Sequence, residues 1–228
     1  MSNPAKSVSS KKLAVFDIDG TLTHTARLTY GYFADSLRRH VGDFELSLDW
    51  DGCEDVTDTG IVAGVFRQFL GRDPEDDEWE DIRTRYFTTM EEGCQKADAV
   101  AGAAETLRAL REHPEWEVAI ATGNWRTAAH HKLTICDLPH TDLPMGTSND
   151  SPARARILEA AIRRAPDAAR VLYIGDRDWD HRAARTLGVG FVARGRHVSD
   201  PPFAVPDYSN FDRVLDTFER ALKPSPVG

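Results

Sequence analysis

The sequence predicts an α/β protein: a parallel sheet with helices on both faces, interrupted by an inserted all-helical subdomain. Three observations carry this. Short continuous apolar runs recur, "KLAVFDI" at 12–18, "EVAIATG" at 117–123, "VLYIGD" at 171–176 and, more weakly, "VGFVARG" at 189–195. Such runs suit strands buried on both faces. Helical patterns alternate with the later runs, at 103–113, 125–135, 151–165 and 180–188, the order of a parallel sheet with crossover helices. Between the first run and residue 97 the alternation stops, and helical patterns follow one another.

Taken in order, residues 1–11 read as a disordered tail, without the apolar stretch of a signal peptide. The sheet-forming core is expected at 12–23 and 98–222, the helical insert at 24–97 and a short C-terminal tail at 223–228, with hinges near Leu22–His24 and Ala97–Gly102. In the insert, "ARLTYGYFADSLRRHVG" and "TGIVAGVFRQFLG" have amphipathic spacing, and "DPEDDEWEDIRTRYFTTMEEGCQKA" is a longer helix. The acidic run Asp73–Asp81 suits a solvated helix start, where negative charge meets the positive end of the dipole. In "SPARARILEAAIRRA", Ser151 is the expected N-cap and Pro152 the first helical residue, and Gly188 is the expected stop of the helix before it.

Composition narrows the function. With 228 residues and a net charge of −9, the chain can bury a core but has no general affinity for nucleic acid. No apolar run approaches a membrane-spanning length. Cys53, Cys94 and Cys136 are widely spaced and read as ordinary thiols of a reducing compartment. A cytoplasmic enzyme is expected, with neither a nucleic-acid nor a membrane partner.

The first apolar run ends in Asp17 and Asp19, the second in Thr122 and the third in Asp176, with Asp180 following. Ligands bind at the carboxyl ends of strands in open parallel sheets, so these side chains are expected to meet at one edge. Carboxylates packed together stay ionised only with a cation present. An oxygen-only set suits Mg²⁺, and Asp17, Asp19, Asp176 and Asp180 are the expected ligands. A carboxylate can attack phosphorus and form an aspartyl-phosphate. Thr122, backbone amides after Asp17 and an Arg or Lys would then face the phosphoryl oxygens. Asp19 is placed to protonate the leaving alkoxide and then to activate water.

"DIDGT", "TG" after the second strand and "GDRDWD" after the third together resemble the haloacid dehalogenase-type hydrolase superfamily, in order and spacing along nearly the whole chain. The resemblance implies a Rossmann-like core with a helical cap. Its phosphoglycolate-phosphatase-like and β-phosphoglucomutase-like branches carry such caps, and "DGCEDVTDTGIV" resembles a substrate-choosing cap loop of those branches. It implies a Mg²⁺-dependent phosphatase acting on a small phosphorylated metabolite. Its nucleophile falls on Asp17, its second motif on Thr122 and its fourth on Gly175, Asp176 and Asp180. Gly20, Thr21, Gly123 and Asn124 are the candidate phosphate-binding residues beside these motifs. A phosphoglucomutase-type isomerase is the nearest alternative. A non-catalytic binding module would be expected to lose Asp17 or Asp19. A dehalogenase has no need of Asp19 or a metal, and a phosphonate hydrolase needs a cap lysine where this sequence offers only Lys96 at the hinge.

The third motif is normally a lysine; here the region offers Arg154 or Arg156. Two residues on a helix lie about 200° apart, so only one can face the phosphate. Arg154 falls on the stripe of Ile157, Leu158, Ala161 and Ile162, and Arg156 on the opposite side. Arg154 is therefore the expected phosphate-facing cation. Among neighbouring residues, Asp178 reads as a loop or outer partner, Trp125 and Trp179 as packing or edge cover, and His130–His131 as a surface pair. His24 can belong to the site or to the hinge, and Thr57, Asp58 and Thr59 can reach the site from the cap.

Overall fold

The computed structural model describes residues 11–46, 56–165 and 168–222. The expected terminal tails (apart from Lys11), Cys53 and the 51–55 part of the quoted cap loop lie outside them. The elements run β1 (Lys12–Phe16), α1 (Ala26–Val41), α2 (Asp58–Leu70), α3 (Asp76–Gly93), α4 (Ala103–Glu112), β2 (Trp116–Ala121), α5 (Arg126–Ile135), β3 (Met145–Gly146), α6 (Arg154–Arg164), β4 (Arg170–Gly175), α7 (Asp178–Leu187), β5 (Gly190–Arg194), β6 (Ala204–Val205) and α8 (Phe211–Ala221).

The six strands form one parallel sheet in the order β3-β2-β1-β4-β5-β6. Strand residues alternate between its faces. Leu13, Val15, Ala119 and Tyr173 pack with Ile157, Leu158 and Ala161 of α6 and with Ala183 and Ala184 of α7. Ala14, Phe16, Ile120 and Ile174 pack on the other face with Leu107 of α4, Leu133 of α5 and Phe218 of α8. Both faces are covered, which is why the strands read as unbroken apolar runs.

Register decides what meets at the carboxyl edge. Phe16 stands between Ile120 and Ile174, so β1, β2 and β4 end nearly level. Asp17, Thr122 and Asp176 leave the sheet side by side, where β1 lies between strands that continue in opposite directions across the sheet.

The insert comprises α1, α2 and α3. Its buried Phe33, Ile61, Phe66, Ile82, Tyr86 and Met90 belong to the same apolar cluster as Phe16 and Ile120. Entering and leaving segments pair where hinges are expected: Thr23 bridges Ala99, and the His24 N–H donates to Asp98 O at 2.9 Å.

Several details differ from the sequence expectation. Helix α6 starts at Arg154 with Ala153 as its N-cap, later than the predicted Ser151. The Ser151 hydroxyl accepts from the Ala153 N–H at 3.1 Å, and the Pro152 carbonyl accepts from Thr57 Oγ1 at 2.8 Å, so both residues serve a turn. Strands β3 and β6 have two residues each and are defined by pairing with β2 and β5, with no local pattern to reveal them. Helix α8 is an element that the sequence expectation did not name: Val214 and Phe218 lie on one buried stripe, and Asn210 accepts from the Arg213 N–H. Gly188 closes α7 at φ 64°, as expected.

Candidate active site

Asp17 follows directly from β1, with its N–H donating to Ile174 O at 2.9 Å. Its carboxylate is buried beside those of Asp176 and Asp180, and one oxygen from each of the three lies within 4.8 Å of the others. Burial first, then the negative neighbours, push Asp17 well above the usual carboxylate range. The same causes push Asp176 up to about 7. Asp180 is fully buried behind the pair, accepting from Tyr173 Oη at 3.0 Å and the Arg177 N–H at 3.3 Å. Burial raises it too, opposed by Arg154.

Arg154 enters this cluster from the start of α6. Its Nη1 lies 3.1 Å from Asp17 Oδ1 and its Nε 3.5 Å from Asp180 Oδ1. Burial works against its charge, but the carboxylates around it outweigh this and keep it protonated. Arg156 points away, pairing at the surface with Glu159 at 2.9 Å. The two arginines thus lie on opposite sides of α6, Arg154 inward and Arg156 outward, as the apolar stripe predicts.

Asp19 is different. Lys132 Nζ of α5 binds its Oδ2 at 2.6 Å, and Thr25 Oγ1 donates to its Oδ1 at 2.7 Å. Burial alone would raise its pKa; the Lys132 charge and hydrogen bond outweigh that and hold it low. Each oxygen thus has a donor of its own, and Asp19 stands outside the group of Asp17, Asp176 and Asp180 instead of joining it as the sequence expectation had it. Lys132 was passed over in the sequence. A signal existed: it sits among Ala128, Ala129 and Leu133 on the buried face of α5, and a charged residue on an apolar stripe needs a partner.

A cavity of about 480 Å³ opens on this edge, lined by Asp17, Asp19, Gly20, Thr122, Gly123, Asn124, Arg154 and Asp176 among others. Gly20 has φ +76°, and a Cβ there would stand 2.2 Å from Asp176 Oδ2; only glycine lets the chain turn this close to the carboxylate. At Gly123 a Cβ would meet Arg154 Nη2 at 2.9 Å and Val56 O at 3.0 Å. The Thr122 side chain is buried, and its Oγ1 accepts from the Asn124 N–H at 3.3 Å. Thr21 is fully buried and does not line the cavity, unlike its expected neighbours at the phosphate site.

The insert reaches this edge through residues 56–59. Arg154 Nη2 donates to Val56 O at 3.1 Å, the Asp58 N–H to Gly123 O at 2.7 Å and the Trp125 N–H to Asp58 Oδ2 at 2.7 Å. Thr59 Oγ1 donates to Ser148 O at 2.9 Å. Burial raises Asp58 to about 6, with Lys132 opposing. Trp125 is packed against Phe33 and Tyr86, Trp179 lines the cavity, and His24 is exposed at the hinge. Asp178 accepts from the Ser199 N–H and Oγ. His130 and His131 are half-buried rather than on the surface: His130 lies against His140, and His131 pairs with Cys94 O.

Three buried carboxylates with Arg154 among them, and the part-exposed Arg177 3.3 Å from Asp176 Oδ2, still leave negative charge in excess. An all-oxygen donor set of this kind fits a hard divalent cation such as Mg²⁺. Asp17, Asp176 and Asp180 are the residues brought close enough to share one.

A family model for haloacid dehalogenase-like hydrolases matches residues 11–188, and this chain belongs to that family. Among solved structures, a hydrolase from Pseudomonas syringae is similar at 21% identity, TM-score 0.68, over 90% of this chain and 98% of that one. A β-phosphoglucomutase from Clostridium difficile is similar at 12% identity, TM-score 0.73, over 92% and 98%. A predicted phosphoglycolate phosphatase from Haemophilus somnus is similar at 20% identity, TM-score 0.56, over 92% and 100%. At these identities the likeness is one of fold. No curated protein matched the chain by sequence. Among the described residues no helix is long and apolar enough to cross a membrane.

Proposed function

We infer that this chain is a Mg²⁺-dependent phosphatase that hydrolyses a small phosphomonoester through an aspartyl-phosphate on Asp17. One observation carries the reading: Asp17 stands at a strand end in a cavity, with Arg154 on one oxygen and Asp176 and Asp180 beside it. That arrangement suits a nucleophile whose target brings negative oxygens to Arg154.

In the first half-reaction an Asp17 oxygen attacks phosphorus and the ester P–O bond breaks. The leaving alkoxide takes a proton delivered through Asp19 from the Lys132 ammonium hydrogen-bonded to it. In the second, Asp19 takes a proton from water and passes it back to Lys132 as that water attacks phosphorus, the Asp17–P bond breaks and phosphate departs. Arg154, the Thr122 hydroxyl and the backbone N–H groups around Gly20 and Gly123–Asn124 face the phosphoryl oxygens, where charge grows in the transition state. Asp17 and Asp176, with Asp180 behind them, would hold Mg²⁺, which supplies positive charge against the crowded carboxylates and the phosphoryl group. The insert acts as a cap excluding bulk water, with residues 56–59 as its contact with the phosphate edge.

The test is a panel of phosphorylated metabolites, with phosphate release read with Mg²⁺ and with excess chelator. Release that requires Mg²⁺ is expected. Full activity in chelator would reject the metal site, and hexose phosphate isomerisation without phosphate release would favour the mutase reading.

A further inference from the structure

Beyond its phosphoryl end, the cavity runs between the insert and the core, and there its wall holds Asp58 and Asn124. Asp58 lines it from the start of α2 and is only 8% exposed. Its Oδ2 accepts from the Trp125 N–H. Its cationic neighbour is Lys132, whose ammonium is already bound to Asp19. Two carboxylates therefore share one ammonium. Asn124 hydrogen-bonds to both of them. Yet its Oδ1 is buried with no hydrogen-bond partner, and the residue, itself 8% exposed, lines the same cavity. Arg27 also lines the cavity but is exposed on α1. In sequence, residues 47–55 contain no Lys or Arg that could balance Asp58. Phe33 and Tyr86 form an edge-to-face pair on the same wall, with centroids 5.2 Å apart.

A buried carboxylate and an orphaned amide oxygen, on two residues that line one cavity, are costly unless a ligand brings donors and positive charge. A second phosphate or a carboxylate brings the wrong sign. A hydroxyl brings one donor and no charge. An ammonium brings three donors and a charge, and aromatic side chains favour it further. We propose that this end of the cavity is a subsite for a primary ammonium group, with Asp58 as counter-ion and Asn124 Oδ1 as second acceptor, so that the substrate class is an aminoalkyl phosphomonoester. The substrate class rests on the phosphatase reading of the other end; the ammonium subsite rests on its own contacts.

The experiment uses the full chain with Mg²⁺ and alkyl phosphates of graded chain length ending in ammonium, hydroxyl or methyl, reading kcat/KM from phosphate release. In parallel, calorimetry reads binding of the matching non-hydrolysable alkylphosphonates to the wild type, Asp58→Asn and Asp58→Glu. At the best-fitting length, the ammonium-ended compound should exceed both others by about 10-fold or more in each readout, the scale of one charge-assisted contact. Asp58→Asn should bring that ratio near unity, and Asp58→Glu should retain part of it. The amide of the Asn variant still offers an oxygen to the Trp125 N–H, which keeps the contact between insert and core. Equal or better performance of the hydroxyl or methyl series overturns the proposal, as does an ammonium preference that survives in Asp58→Asn. If no ester is hydrolysed but the aminoalkyl phosphonate binds with an Asp58-dependent preference, the ammonium subsite holds and the hydrolytic reading falls.

Discussion

Asp17 and Asp19 leave the same strand two residues apart and meet different company. Asp17 shares buried space with Asp176, Asp180 and a single buried arginine, Arg154, while Arg177 reaches Asp176 from the exposed side. Asp19 has Lys132 on one oxygen and Thr25 on the other. Burial acts on both, but in the first group like charges add to it and in the second a cation cancels it. An outnumbered arginine leaves a site that is electrostatically complete only with further positive charge. Asp19, with Lys132 and Thr25 bound directly to its two oxygens, needs nothing more. The first arrangement suits binding of metal and phosphoryl group, and the second suits holding one carboxylate ionised and in place.

The comparison breaks most visibly at Lys132. Lys132→Met leaves the Asp19 carboxylate without its cation and should cost about 3 kcal/mol of unfolding free energy, the scale of a broken buried pair. Urea denaturation reads this, and adding Asp19→Asn should recover much of the loss. A cost under about 1 kcal/mol would mean that Lys132 is not what makes the two aspartates different.

Next comes Arg154. Arg154→Ala should lower kcat/KM by about 100-fold, the scale of one lost charge stabiliser. Arg156→Ala should change it little, since the Arg156 side chain is 70% exposed and bound to Glu159. Steady-state kinetics of both variants decide; a large loss at Arg156 with none at Arg154 would overturn the assignment.

A more gradual effect, spread over pH, sharpens the picture at Asp58, another buried carboxylate, which borrows from Lys132. Its pKa is 3.8 in an unperturbed chain and about 6 in the folded one, so the folded state binds the proton more tightly. Its contribution is favourable below about pH 4 and is lost as pH rises through 6, a change of about 3 kcal/mol when complete. The stability difference between wild type and Asp58→Asn should therefore drift against the wild type across that window. A flat difference would contradict the shift.

Where one residue's surroundings are set by its own strand or helix, the sequence was informative. Asp17, Thr122 and Asp176 follow from strand ends, and Arg154 from the apolar stripe of α6. Pairings between distant segments were less legible. Strands β3 and β6 exist through their neighbours. Asp19 lies 113 positions from the lysine that pairs with it, and nothing beside it in sequence indicates that partner. The same stripe argument applied to α5 would have marked Lys132 as buried, though not what it binds. Asp58 was a candidate only through its place in the insert. Its contact with Trp125 comes from the packing of insert on core.

The central claim is that Asp17, not Asp19, takes the phosphoryl group. Rapid acid quench during turnover of an activated phosphomonoester, followed by peptide mass spectrometry, tests it directly. The account predicts a phosphoryl adduct on Asp17 that is absent in Asp17→Asn and accumulates in Asp19→Asn, where water activation is lost. An adduct on Asp19 or any other residue, or steady turnover by Asp17→Asn, would contradict it.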